Sequence, residues 1–500
     1  MSNSMLLFRE PDLEFRYGQR VKDPRDGLAL FGPYDADLSS HPKSLPYIVL
    51  GTAEGIADFA VWSSLMNAPS IAAPDDNYRL WPPFPGFEAA FHSAWPTKSV
   101  WTYEIDSDNL SEASRQREAH ERAYSVVDHY MEGLRRTEKL DEKIAVAICI
   151  VPDEVWLNCR PESVVLKPVG RYVPKKVIRA RQSGQLDMFE ETNLDQYQLS
   201  PDFRRQLKAR AMEFGIPLQI IRQSTLRPSN DNLRGQRGLT PLSDRMWNIS
   251  TTLYYKCGGK PWRLVTAREG VCYIGIAFRR TDVTGQNRTA CCAAQMFLTT
   301  GDGIVFLGDY GPWFSPFSKQ FRLTKQAARN LLEGTLKTYE ELEGKPLTEI
   351  FLHSRSGISE EEFEGYQEAC PEGVKVVGVR ARIDRNNPRL YRLGQMPVAR
   401  GSFWRVNDRT GYLWGAGFKP RAATYVGWEV PVPLRIDIQH GEAPIERVAQ
   451  DIYGLTKLNY NACRLGDNEP VTVGFSDAVG EILISNPIVK HRRHSFKHYI

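Results

Sequence analysis

The chain has 500 residues, 42% hydrophobic and 25% charged, the balance of an ordinary globular protein. That length suggests roughly two to four domains with ample core. A net charge of +4 is too slight to hold nucleic acid through a globally basic surface, so any such contact must come from local clusters. No apolar run approaches the ~20 residues of a membrane span.

Residues 1–38 hold short alternating segments such as Leu13-Glu-Phe-Arg-Tyr17, then the turn-rich Asp23-Pro-Arg-Asp-Gly27 and Phe31-Gly-Pro33. This pattern predicts an edge strand or hairpin packed on the body. Ile48-Val-Leu50 followed by Gly51-Thr-Ala-Glu-Gly-Ile56 predicts a strand, a tight turn and a helix start. The charged, periodic stretch 112–137 predicts one long helix. Ile144–Val151 is a continuous apolar run, the signature of a buried parallel strand. The alternation is that of a doubly wound α/β unit. Residues 160–200 break it: Arg171, Lys175, Lys176, Arg179 and Arg181 precede the polar stretch 182–195. The plain interpretation is a solvated insertion; the alternative is a loop facing nucleic acid or a partner.

Arg204 and Lys208 are spaced to lie one turn apart on a helix, on a shared face. Lys256 precedes Gly258 and Gly259 between two apolar runs. Such a turn suits an anion, most naturally a phosphate, met by backbone N–H groups and an ammonium, although most Lys-x-Gly-Gly turns are only turns. Strands follow at 271–278, 290–298 and 303–307, then a helix at 324–343 and a strand at 348–353. That is the order of an RNase H-like fold. Helices at 444–462 and 475–483 close the chain. His491, His494 and His498 lie in a basic tail, which suits a strand beside nucleic acid better than a metal site. The eight cysteines form no C-x-x-C pair, which excludes a zinc knuckle; with no signal peptide, a reducing cytoplasm is expected. Trp81, Phe84, Phe87, Trp313 and Trp404 could stack on bases, although core packing is the commoner fate of such residues.

Several segments in the same order resemble the MID–PIWI half of Argonaute proteins, specifically the short Argonautes of prokaryotes. They include 23–33, Phe84-Pro-Gly-Phe-Glu88, the 204–222 region, the Lys256 turn, Cys291-Cys-Ala-Ala-Gln295, Gly311-Pro-Trp313, Leu455–Asn461 and the final His498-Tyr499-Ile500. The resemblance implies an α/β chain: N-terminal strands over 1–38, a Rossmann-like MID domain over 39–240 and an RNase H-like PIWI domain over 241–500. It implies that Arg204, Lys208, Gln219 and Lys256 hold the 5′-phosphate of a guide strand. It also implies a shared Mg2+ that the C-terminal carboxylate of Ile500 helps to hold.

The same resemblance exposes a loss. A two-metal nuclease needs clustered carboxylates. Where the family has its first aspartate, after Tyr273-Ile-Gly-Ile, this chain has Ala277. Where a later one follows His353-Ser-Arg, it has Ser356, and only Asp477 remains. Asp282, Asp302 and Asp309 are nearby in sequence but read as turn aspartates. The implied function is that of a non-cutting sensor in bacterial defence. It would hold a small guide, in the family usually RNA, and pair it with invading single-stranded DNA. Its partner would be an APAZ-domain effector bearing a TIR, Sir2 or nuclease domain, with higher oligomers on target binding. Alternatives are an active guide-directed nuclease and a scaffold that binds no nucleic acid.

Overall fold

A computed structural model describes residues 4–71, 77–165, 199–228, 239–280, 289–296, 303–315, 317–342, 346–384, 386–425, 429–483, 485 and 493–499. Two sheets organise it. The smaller is fully parallel, in the order Trp101–Glu104, Tyr47–Gly51, Val146–Val151, Leu218–Arg222. The two central strands are buried throughout, as their unbroken apolar runs require. Alternate residues serve opposite faces. Ile48, Leu50, Ala147 and Cys149 pack under helices Ser107–Arg115, Ala119–Thr137 and Phe203–Ala211. Val49, Ile148 and Ile150 join a second core with Met246, Trp247 and Leu253 of helix Leu242–Lys256.

That helix is the joint of the molecule. It is buried over nearly its whole length, and the core containing it continues into the larger sheet through Trp262, Tyr273 and Val377. The larger sheet has ten strands. Val271–Arg280, Thr289–Met296 and Gly303–Gly311 run antiparallel to one another, while Glu349–Ser354 lies parallel to Val271–Arg280 and to Lys375–Ile383. Helices Lys325–Leu342 and Glu360–Glu368 cover one face and helix Val471–Leu483 packs on the other. The chain is therefore α/β, with a Rossmann-like sheet followed by an RNase H-like one.

Several elements differ from the sequence expectation. Residues 24–31 form a helix, not a turn, because Asp23 caps it by accepting from the Arg25 N–H and Pro24 takes the first helical position. The expected helix over 112–137 is two, broken at Gln116, with Glu118 capping the second. The last helices run over Ile445–Leu455 and Val471–Leu483 instead of 444–462 and 475–483. The strands not expected from sequence include Trp101–Glu104, Leu218–Arg222, Lys375–Ile383, Ser402–Arg405, Thr410–Leu413 and Leu434–His440. The first strand, Ser4–Leu7, joins the larger sheet at its edge beside Ser402–Arg405. The described cysteines are free thiols. The basic run at 171–181 and the polar stretch 182–195 lie outside the described residues.

Candidate nucleic-acid interface

Helix Phe203–Ala211 starts at Asp202, whose carboxylate accepts from the N–H groups of Arg204 and Arg205. Its apolar face, Phe203 and Leu207, packs into the core of the smaller sheet, which carries Lys208 inward with it. Strand Leu218–Arg222 at the sheet's edge brings Gln219 alongside. Lys256 ends helix Leu242–Lys256, where a cation is favoured by the dipole. These three elements meet. Lys208 and Lys256 are only 3% and 1% exposed. Lys208 Nζ donates to the Tyr499 carbonyl (2.9 Å), and Lys256 Nζ donates to the Leu218 carbonyl and to Gln219 Oε1 (2.8 Å).

The charges in this pocket oppose one another. Burial, then Lys256 and Arg204, push the Lys208 pKa well down. Burial and then Arg204 bring Lys256 to about 7. Burial and then Arg160 lower Arg204 as well, against the pull of Asp202. Lys256 forms no ion pair with a carboxylate among the described residues. Arg204, Lys208, Gln219 and Lys256 thus converge in space, although 52 residues separate the first from the last. Ile500 lies outside the described residues, while its neighbour Tyr499 is buried against Lys208.

The glycine turn does not act as the sequence suggested. The N–H groups of Cys257, Gly258 and Gly259 donate back to the carbonyls of Leu253, Tyr255 and Tyr254. They close the helix end and are not offered to an anion; Gly258 has φ 98°, which only glycine adopts without strain. The lysine, not the turn, is the chemical group here.

At the nuclease positions, Ala277 is buried on strand Val271–Arg280 and the Ser356 N–H donates to Ser354 Oγ (3.1 Å). Asp477, on helix Val471–Leu483, pairs with Arg355 and lies 3.5 Å from Arg279. Arg355 also pairs with Glu469. Among the described residues no three His, Cys, Asp or Glu side chains gather as a metal site. Asp282, Asp302 and His491 lie outside the described residues, as do the side chains of Asp309 and His494; His498 sits in a short helical turn after strand Arg493–Ser495.

Sequence reasoning missed a cleft of about 930 Å3 at the other end of helix Leu242–Lys256, lined by Asp244, Arg79, Lys419 and Arg464. The last three make no ion pair among the described residues. Lys419 is pushed to about 8 by burial and then by Arg400. No sequence motif marks them, since each comes from a different segment.

One buried cluster is a decoy. Ser93 Oγ, His41 and Asp35 follow one another at 3.2 and 3.5 Å, as in a hydrolase. Ser93 is buried and donates to the Pro42 carbonyl, and Tyr254 donates to Asp35. The cluster ties the N-terminal segment to helix Leu242–Lys256.

The chain is 23% identical to the Argonaute protein of Aquifex aeolicus over 275 residues, 54% of this chain and 34% of that protein. Its fold matches Clostridium butyricum Argonaute bound to a guide DNA and a 19-mer target DNA, with TM-score 0.60 and 15% identity. The match covers all of this chain and 55% of that one. The chain is Argonaute-like in fold. Aquifex Argonaute with externally bound siRNA (TM-score 0.58, 14% identity) and Drosophila Piwi (0.60, 11%) each align with 99% of this Argonaute-like chain. They align over 56% of their own lengths, so the chain spans about half of these structures and about a third of the curated relative. No protein-family model matches the sequence.

Proposed function

We propose that this Argonaute-like chain holds a guide oligonucleotide by its 5′-phosphate and presents it for pairing, without cutting the paired strand. The observation that carries this is the convergence of half-buried Arg204 with the buried Lys208 and Lys256, all three with lowered pKa values. A buried cluster of like charges is unfavourable until an anion joins it. A terminal phosphate is the ligand that makes it favourable. Gln219 adds an amide beside Lys256. The cleft at the far end of helix Leu242–Lys256 lies about 18 Å from Lys256 at 1.5 Å per residue, and its cations suit the strand's backbone. The C. butyricum neighbour is described with guide and target DNA bound.

The non-cutting half rests on Asp477. Its carboxylate is held by two guanidinium groups, with alanine and serine at the other two positions. The guide is proposed to be RNA and the target single-stranded DNA. Mg2+ would join only with the guide. The pocket oxygens of Leu218, Gln219 and Tyr499 already accept from lysines, so the ion would depend on guide phosphates and the Ile500 carboxylate. We propose N-terminal, MID-like and PIWI-like units over 1–38, 39–240 and 241–500. An APAZ-bearing effector supplies the output.

The test is guide binding. Lys208→Ala or Lys256→Ala is expected to weaken a 5′-phosphorylated guide by about 1.5–3 kcal/mol each, the worth of a charge-assisted contact. A 5′-hydroxyl guide should be little affected. Equal loss for both guides would refute the phosphate site.

A further inference from the structure

Among the described residues, strand Ser4–Leu7 is the outermost of the ten-stranded sheet and is bonded on one side only, to Ser402–Arg405. Natural edges are blunted by charge, proline or bulges. This one reads Ser-Met-Leu-Leu, with Met5 51% and Leu7 67% exposed. The register aligns Met5, Trp404, Tyr412, Arg435 and Arg382 in one row across five strands, so they share a face. Trp404 and Tyr412 stack at 5.4 Å and are half-buried. Helix Glu360–Glu368 covers this face only farther along, where Phe363 stacks on His440. At the Leu7 end the chain after Ile383 displays Tyr391 and Leu393, the latter 99% exposed.

The same face carries three arginines against two aspartates. Arg382 and Arg435 pair with Asp384 and Asp437, while Arg380 makes no ion pair among the described residues. The strand bearing Arg435 lies three strands in from the edge, about 14 Å away.

We propose that this edge and face dock a partner polypeptide that adds an apolar β-strand beside Ser4–Leu7 and lays a carboxylate-bearing segment over Arg380, Arg382 and Arg435. Main-chain bonds would give the affinity and side-chain pockets the choice of partner. A second copy of this chain pairing through Ser4–Leu7 would satisfy the edge but bring its own Ser-Met-Leu-Leu strand, which has no carboxylate for Arg380. A nucleic-acid backbone would meet the arginines but gain nothing from Met5 and Leu7. The inference goes beyond the guide pocket and does not depend on it.

The probe is a synthetic peptide of alternating valine and threonine followed by a run of glutamates. Controls carry lysine for glutamate, or proline within the strand. Binding is read by fluorescence anisotropy and by hydrogen exchange at the amides of residues 4–7. The glutamate peptide should bind, slow exchange at the edge and lose affinity with salt. Met5→Asp with Leu7→Asp should weaken it roughly tenfold or more, about 1.4 kcal/mol, with unchanged melting temperature and guide affinity. Arg382→Glu should reduce the salt dependence. No binding, or equal binding by the lysine or proline peptide, would overturn the proposal. So would a sedimenting dimer abolished by Leu7→Asp, which assigns the edge to a second copy. Because guide affinity is measured on the same variants, failure of this surface and failure of the guide pocket read out separately.

Discussion

Two buried lysines and a half-buried arginine repel one another, and burial with that repulsion lowers all three pKa values. Lys256 releases its proton at about pH 7 in the guide-free protein. A phosphate beside it would raise that value, so loading takes up a proton between the two limits. Affinity for a 5′-phosphorylated guide is therefore expected to be full below about pH 7 and to fall as pH rises through the loaded-state pKa. The phosphate itself loses its second proton near pH ~6 and does not mask the effect. Calorimetry in buffers of different ionisation enthalpy measures the uptake; a 5′-hydroxyl guide should show none. Folding carries the opposite sign. The Lys256 value lies below that of the unfolded chain, so the unfolded state binds the extra proton above about pH 7. Guide-free protein should gain stability as pH rises toward the ordinary lysine value, and Lys256→Met should flatten that rise. A pH-independent difference between the two proteins would contradict the shift.

Among the elements, helix Val471–Leu483 carries the most consequence. It lies so close to strand Val271–Arg280 that a Cβ on Gly275 would sit 1.8 Å from the Thr472 carbonyl oxygen. Nothing but glycine fits, for packing and not for backbone reasons. From this helix an alternating row of charges runs toward helix Phe203–Ala211: Asp477 to Arg279 at 3.5 Å, Arg279 to Glu481 at 3.3 Å, Glu481 to Arg205 at 2.8 Å. These groups are partly exposed, so solvent screens them. Asp477→Asn is expected to cost about 1 kcal/mol or less, while Gly275→Ala should cost about 3 kcal/mol by overpacking. Thermal unfolding of the two variants gives the comparison; a larger loss for Asp477→Asn would make the charge row, not the packing, the seat of the helix. Much at this scale was legible in sequence. The run Ile144–Val151 and the strand–turn–helix at 48–56 stated their structure in apolar pattern. The alternation of Leu434, Ile436 and Ile438 is present too, but a seven-residue strand far from its partners in sequence gives only a short signal. Arg355 lies within His353-Ser-Arg-Ser356, yet nothing in one dimension says that its guanidinium reaches Asp477, 122 residues later.

At the scale of the whole molecule, one buried helix joins the two sheets, with the cation pocket at its C-terminal end and the cleft at its start. A strand anchored at one end and lying along the other is fixed relative to both sheets. Pairing along it would then be felt by the body that carries the outer sheet edge. The convergence of Arg204, Lys208, Gln219 and Lys256 was legible only because a family pattern linked positions far apart; the cleft had no such pattern and needed coordinates. The consequence is an expected division of labour. Guide-loaded protein incubated with a matched, labelled single-stranded DNA and Mn2+ should retain the target and yield no discrete product, since Asp477 is committed to arginine. Co-expressed with an effector bearing a TIR or Sir2 domain, it should consume NAD only when guide and target match, and the complex should grow on sedimentation. A cut at a fixed guide position, lost in Asp477→Ala, would make the chain a nuclease. NAD loss without target would remove the sensing step, while silence from the effector despite tight target binding would leave the chain as a guide-directed binder alone.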